Sequence, residues 1–175
     1  GNFDGVHRGH QHVLALARDR AREEGRPALA LTFEPHPRTV FQPDAPVFRI
    51  TPPAAKAAVM AAFGLDGLAV ARFDRAFASQ SPDDFIERIL RESLGASVLV
   101  VGDDFRFGAG RKGDVAMLRA AGAGAGFTVT AVDLVVDDAG GQVSSTRVRS
   151  ALEAGAVRAA ADLLGYRPIA VAPVV

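Results

Sequence analysis

The sequence predicts an α/β protein whose mostly parallel, doubly wound sheet carries helices on both faces. Two patterns lead there. Short apolar runs of strand length alternate along the chain with amphipathic helical stretches, and strands joined through helices require crossover connections. Most of those runs are continuously apolar rather than alternating, as strands buried on both faces are. With 175 residues, 49% of them hydrophobic, the chain can fill the core that such a sheet needs.

The first helix begins near Gly9, where Val13, Leu14, Leu16, Ala17 and Ala21 recur at three- and four-residue spacing. Arg18, Arg22 and Glu23 fall largely on its other side, and Gly25 and Pro27 stop it. Residues 28–33 read as a buried strand. The segment 34–38, Glu-Pro-His-Pro-Arg, carries two prolines that exclude helix. Thr51 then reads as an N-cap with Pro52 at the first helical position, and that helix runs to Gly64.

Residues 67–73 form the second strand. Ser81 caps a helix whose stripe is Phe85, Ile86, Ile89, Leu90 and Leu94, ended by Gly95. The third strand covers 97–101 and is followed by a polar, Gly- and Arg-rich loop over 102–113. A helix over 114–125 is weakened by Gly122 and Gly124. The fourth strand spans 127–136, one or two short helices fill 144–165, and 169–175 reads as a further strand.

Composition removes several classes of function. Lys+Arg and Asp+Glu number 20 each, so the net charge is zero and a non-specific polyanion binder is not expected. Without cysteine there is no disulfide framework, thiolate metal site or thiol nucleophile. No apolar run has the length of a membrane span and no signal peptide opens the chain, which makes a soluble cytoplasmic protein the default. A P-loop is absent, as is a G-x-S-x-G nucleophile elbow.

In open parallel sheets, ligands bind beyond the carboxyl ends of the strands, so the loops after Phe33, after Val101 and before Ser145 are the places to look. The opening stretch Asn2-Phe3-Asp4-Gly5-Val6-His7-Arg8-Gly9-His10 has two glycines that let backbone approach a ligand, and two histidines three apart on one face of a helix N-terminus. Free N–H groups, the positive end of the helix dipole and two imidazoles suit phosphate oxygens. The plainer alternative makes one histidine a cap and the other a surface residue. In Ser144-Ser145-Thr146-Arg147-Val148-Arg149, one hydroxyl caps a helix in any case. Two more hydroxyls, with Arg149 four residues after Ser145, make a second anion site.

The glycines at 108, 110 and 113 match G-x-G-x-x-G, with Asp133 about 20 residues on as in dinucleotide sites. Polar Asp103, Asp104 and Arg106 intervene after the strand, which marks the match as a decoy. The loop reads either as mobile surface or as a substrate lid, with Phe105 or Phe107 stacking on a ring and Asp104 holding a polar edge or a magnesium water. Phe33-Glu34-Pro35-His36-Pro37 sits at a strand end, where it forms either a pocket wall or a stiff turn.

Four stretches in register resemble one family. Gly-x-Phe-Asp-Gly-x-His-x-Gly-His at 1–10 is similar to the H-x-G-H signature of nucleotidylyltransferases, in the version found in bacterial FAD synthetases. Residues 33–37, 102–108 and 144–149 resemble that family in the same order. The resemblance implies a Rossmann-like fold of the nucleotidylyltransferase type over 1–165, with its first strand missing before Gly1. A riboflavin kinase domain is expected to follow, represented by its opening residues 166–175. The implied activity is transfer of AMP from ATP to FMN, giving FAD and pyrophosphate, with Mg²⁺ arriving mainly on the ATP phosphates and no metal held by the protein.

In that reading His7, His10 and Arg149 are catalytic. Asn2, Phe3, Asp4, Gly5, Gly9, Ser144, Ser145 and Thr146 bind ATP. Phe33, Pro35, His36, Asp104, Phe105 and Arg106 face the flavin. The expected partners are ATP, FMN and the kinase module of the same chain, without nucleic acid or membrane. Three alternatives remain: an adenylyl- or cytidylyltransferase with another phosphate-bearing acceptor, an NAD-binding oxidoreductase using the glycine loop, and a metal-binding module using His7, His10, His12 and His36.

Overall fold

Helix α1 (Arg8–Glu23) begins inside the first motif, where His7 caps it, its Nδ1 accepting from the His10 N–H at 3.4 Å. The computed structural model describes residues 1–171. After α1 come β1 (Leu29–Glu34), α2 (Pro37–Phe41), α3 (Pro53–Ala62), β2 (Gly67–Arg72) and the single turn α4 (Arg75–Ala78). Ser81 caps α5 (Pro82–Asp84), which runs on as a π-helix over Phe85–Ser93. Then follow β3 (Val98–Gly102), α6 (Val115–Ala125), β4 (Thr128–Val132), α7 (Ser145–Glu153) and α8 (Val157–Leu164).

These elements fall into two compact units. One is Gly1–Ala71 with the segment from Val135 onward, and the other is Arg72–Leu134. The α/β class and the β–α alternation stand. Ladder hydrogen bonds join the described strands in two pairs, β1 with β2 and β3 with β4. The second pair is parallel, with Val98 opposite Thr128 and Val101 opposite Ala131, and α6 supplies the crossover it requires.

In the first unit, Phe3, Val6, Leu14, Ala30, Val59, Met60 and Leu65 pack into one buried cluster. Ile50, Val143, Val148, Ala160, Leu163 and Leu164 form another, and Tyr166 packs against both. In the second unit, Phe85, Ile86 and Leu90 are buried, as the stripe spacing predicts.

Four expectations need correction. Thr51 does not cap α3: the helix starts one residue later, with Pro53 at its first position, and the Thr51 hydroxyl is used elsewhere. The second proline of the 34–38 segment does not exclude helix, because Pro37 occupies the first position of α2, where its missing N–H is no loss. The fourth strand ends at Val132. Val136 instead bridges Gln142 across a turn built on Gly140 at φ +76°. Of the strand expected over 169–175, Ile169–Val171 are irregular and 172–175 lie outside the described residues.

Candidate active site

Residues 3–6 make an unusual turn. Phe3, Gly5 and Val6 all have positive φ, at 48°, 91° and 34°. Only Gly5 adopts such a conformation without a steric penalty, so the surrounding structure must hold Phe3 and Val6 in place. A Cβ on Gly5 would lie 3.2 Å from Ile50 Cδ1 and 3.3 Å from Leu164 Cδ2. The turn delivers the chain into α1 with His7 and His10 on one face. Their rings stack at 3.7 Å between centroids, and Phe3 meets His10 edge-on at 5.1 Å. Gly9 makes room for this pair, since a Cβ there would sit 3.3 Å from His7 Cε1 and Nδ1.

Both imidazoles are neutral at physiological pH. Burial, and then the charge of Arg149, lowers the His7 pKa to about 4. His10 is held well below the ordinary histidine range by burial and then by His7. Because His7 Nδ1 accepts the His10 N–H, its proton sits on Nε2, where it can be donated. His10 Nδ1 is buried without a protein partner among the described residues. As at every helix start, the first N–H groups of α1 have no acceptor within the helix itself.

Asp4 ties this turn to the second motif. It is fully buried, and its carboxylate accepts from the Thr51 N–H at 3.0 Å, the Ile50 N–H at 3.3 Å and Arg149 Nη2 at 2.6 Å. Its backbone carbonyl accepts from Ser145 Oγ at 2.7 Å. Arg149 Nε also donates to the Phe48 carbonyl at 2.8 Å. Ser144 caps α7, and Thr146 is exposed at its start. Two helix N-termini from opposite ends of the chain are thereby fastened together.

Beside them lies a second charged cluster. Glu34 accepts from Arg49 through two bonds of 2.8 and 2.7 Å, and from Lys56 Nζ at 3.0 Å. The hydrogen bonds from Arg49, reinforced by Lys56, hold the Glu34 pKa at about 2. Lys56 is 1% exposed and donates in addition to the Asn2 carbonyl at 3.0 Å and Thr32 Oγ1 at 3.2 Å. His36 caps α2, its Nδ1 accepting from the Arg38 N–H, and burial lowers its pKa.

A family model described as FAD synthetase matches residues 1–147. The chain belongs to the FAD synthetase family. It is 46% identical to a bifunctional riboflavin kinase/FMN adenylyltransferase of Pseudomonas fluorescens over 98% of this chain and 54% of that protein. To the Escherichia coli K12 protein of the same name it is 40% identical, over 95% and 53%. A putative member from Geobacillus thermodenitrificans is 39% identical, with 95% of this chain and 87% of that protein covered. Among solved structures, a protein described as a macrolide-efflux protein from Streptococcus pneumoniae superposes with TM-score 0.83 at 30% identity, over 95% of this chain and 53% of that one. The chain spans about half the length of the first two relatives.

For a FAD synthetase-family chain, the flavin-side expectations divide between the units. Phe33, Pro35 and His36 belong to the first, at the end of β1, where Glu34–Pro35 is a cis peptide. Asp104, Phe105 and Arg106 belong to the second, directly after β3. Asp104 and Arg106 are exposed, and Phe105 stacks on Phe107 at 5.6 Å. Phe107 is not a free stacking ring: it is buried, packs on Phe85 at 5.3 Å and bridges Gly113.

The glycines of the loop serve packing. A Cβ on Gly113 would strike the Phe107 ring at 2.6 Å, and one on Gly108 would strike Pro82 at 2.7 Å. This occupation, with twelve residues between β3 and α6, leaves no tight strand-to-helix turn for a dinucleotide, and the oxidoreductase reading loses its site. Among the described residues no group of three His, Cys, Asp or Glu side chains is arranged to hold a metal ion. No described helix is long and apolar enough to cross a membrane. Sequence reasoning missed Arg49, Lys56, Thr51 and Tyr166. The only signal for Lys56 was its rarity, since the chain has just one other lysine, Lys112.

Proposed function

We propose that this chain transfers the adenylyl group of ATP to FMN, forming FAD and releasing pyrophosphate. An FMN phosphate oxygen attacks the α-phosphorus in line, a new P–O bond forms, and the bond to the bridging oxygen of pyrophosphate breaks. The nucleophile is already an anion, so no protein base is required. The protein's task is to position the reactants and to stabilise charge on the equatorial and leaving oxygens.

In this reading the His7 and His10 imidazoles act as neutral donors to the α- and β-phosphates. The N-terminal N–H groups of α1 contribute beside them. Arg149 and the start of α7, with Ser144, Ser145 and Thr146, serve the β/γ end. The Ser145 proton is directed at Asp4, so Ser145 works through the backbone it secures as much as through its hydroxyl. Asn2, Phe3, Gly5 and Gly9 shape the nucleotide floor. Phe33, Pro35, His36, Asp104, Phe105 and Arg106 are assigned to the flavin. Mg²⁺ is assigned to the MgATP substrate, carried on the ATP phosphates.

The observation that carries this reading is the convergence of the two phosphate motifs through Asp4, in a chain of the FAD synthetase family. The native protein is further proposed to carry a riboflavin kinase module, since the longer relatives are named for both activities. Incubating the chain with MgATP and either FMN or riboflavin, then separating the flavins, tests the reading. FAD formed from FMN alone supports it. Binding of NAD with no flavin product overturns it.

A further inference from the structure

The Gly5 peptide is held from both sides by side-chain hydroxyls that belong to neither phosphate motif. Its N–H donates to Thr51 Oγ1 at 3.0 Å, and its carbonyl accepts from the Tyr166 phenol at 2.7 Å. Thr51 is 2% exposed, just before α3, and its own N–H is taken by Asp4. Tyr166 comes two residues after α8, outside the stretch matched by the family model, with its ring packed against both apolar clusters of the first unit. Burial pushes the phenol pKa upward, so the hydroxyl stays protonated and remains a donor. The next carbonyl, that of Val6, accepts from Gln11 Nε2 at 2.8 Å, and the same nitrogen reaches the Leu164 carbonyl at 2.5 Å.

This region is where the backbone needs such support. Phe3 and Val6 adopt positive φ that non-glycine residues hold only when their surroundings impose it, and the turn sets the entry of α1 and the direction of His7. We infer that Thr51 and Tyr166 are positioning residues that clamp the Gly5 peptide and so aim the His7–His10 end of the site at the ATP phosphates. Neither touches the nucleotide; both act through the turn. The α8–Tyr166 segment thereby becomes part of the ATP site although it lies 161 residues from Gly5. The inference rests on the ATP-dependent function proposed above.

The test compares the unaltered chain with Tyr166→Phe, Thr51→Val and Thr51→Ser. Calorimetry measures MgATP and FMN affinities separately, alongside KM for ATP, kcat and thermal midpoints. Losing one hydrogen bond that orients the turn is expected to weaken ATP about 2- to 10-fold in Tyr166→Phe and Thr51→Val. FMN affinity stays unchanged, kcat falls less than KM rises, and Thr51→Ser restores ATP binding. Tyr166→Phe retains the ring packing, so it decides the matter if Thr51→Val does not fold.

Unchanged ATP affinity in folded variants overturns the inference. So does a parallel loss of ATP and FMN affinity that tracks the thermal midpoint, because that pattern belongs to a purely structural role. If the unaltered chain binds MgATP yet forms no FAD, the adenylyl-transfer reading fails and the clamp is still judged on ATP affinity. If the unaltered chain does not bind MgATP, both fall.

Discussion

Arg149 Nη2 lies 2.6 Å from Asp4 Oδ2, joining residues 145 positions apart, and Asp4 is buried with only protein donors around its carboxylate. The aspartate of the opening motif is therefore a latch between two helix starts. Removing the buried carboxylate takes its partner from the partly exposed Arg149 guanidinium, which costs about 1–3 kcal/mol. Asp4→Asn is expected to lower stability by an amount of that order, measured by urea unfolding, and to weaken ATP binding. Asp4→Asn/Arg149→Met restores part of the stability but not the ATP affinity. A single Asp4→Asn variant as stable as the parent would show that the pair is not a latch.

His10 contributes through a hydrogen bond from a preorganised imidazole. Deleting one such donor typically costs ~10²–10³ in rate. His10→Ala is accordingly expected to lose that factor in kcat for FAD formation while still folding, as circular dichroism can check. Turnover near that of the unaltered chain removes His10 from the chemistry.

Stability should depend on pH in two stages. His7 has a folded pKa of about 4 against an ordinary 6.5, so the unfolded chain binds more protons between those values. Its contribution is complete above about pH 6.5 and is lost as pH falls toward 4. His10, shifted in the same direction, adds to that slope. Glu34, at about 2 against 4.5, contributes fully above pH 4.5 and is lost between 4.5 and 2. Urea midpoints should thus decline as pH falls below 6.5 and continue to decline below 4.5. A midpoint that stays level from pH 7 to 4.5 contradicts the neutral, buried imidazoles. The same shifts predict no histidine limb in kcat between pH 6 and 8.

Gly9→Ala isolates the geometry of the imidazole pair. The added methyl would lie 3.3 Å from the His7 ring, tighter than ordinary contact, and 3.7 Å from the Val143 carbonyl. Helix propensity favours alanine over glycine by about 1 kcal/mol, so stability should hold or rise. Activity should fall at least several-fold as His7 is displaced, since small misplacements of positioned groups are costly. A variant both stable and fully active would mean that the His7 position is not critical.

Local patterns determined much of this protein. Apolar periodicity and helix stops locate α1, the stripe of Phe85, Ile86 and Leu90, and both helices after Ser144, because these features depend on residues within one or two turns of each other. The motif at 1–10 and the hydroxyl run at 144–149 were likewise legible as helix starts, which His7 and Ser144 cap. Tertiary structure alone decided who holds whom. The four protein donors to Asp4, three on its carboxylate and one on its backbone carbonyl, come from residues 46 to 145 positions away. Thr51 looked like a cap until Gly5 claimed its hydroxyl, and Phe107 looked like a stacking ring until Gly113 and Phe85 enclosed it. The buried Lys56 and its partly buried neighbours Glu34 and Arg49 carry no periodic signature, because each is held by partners far away in sequence.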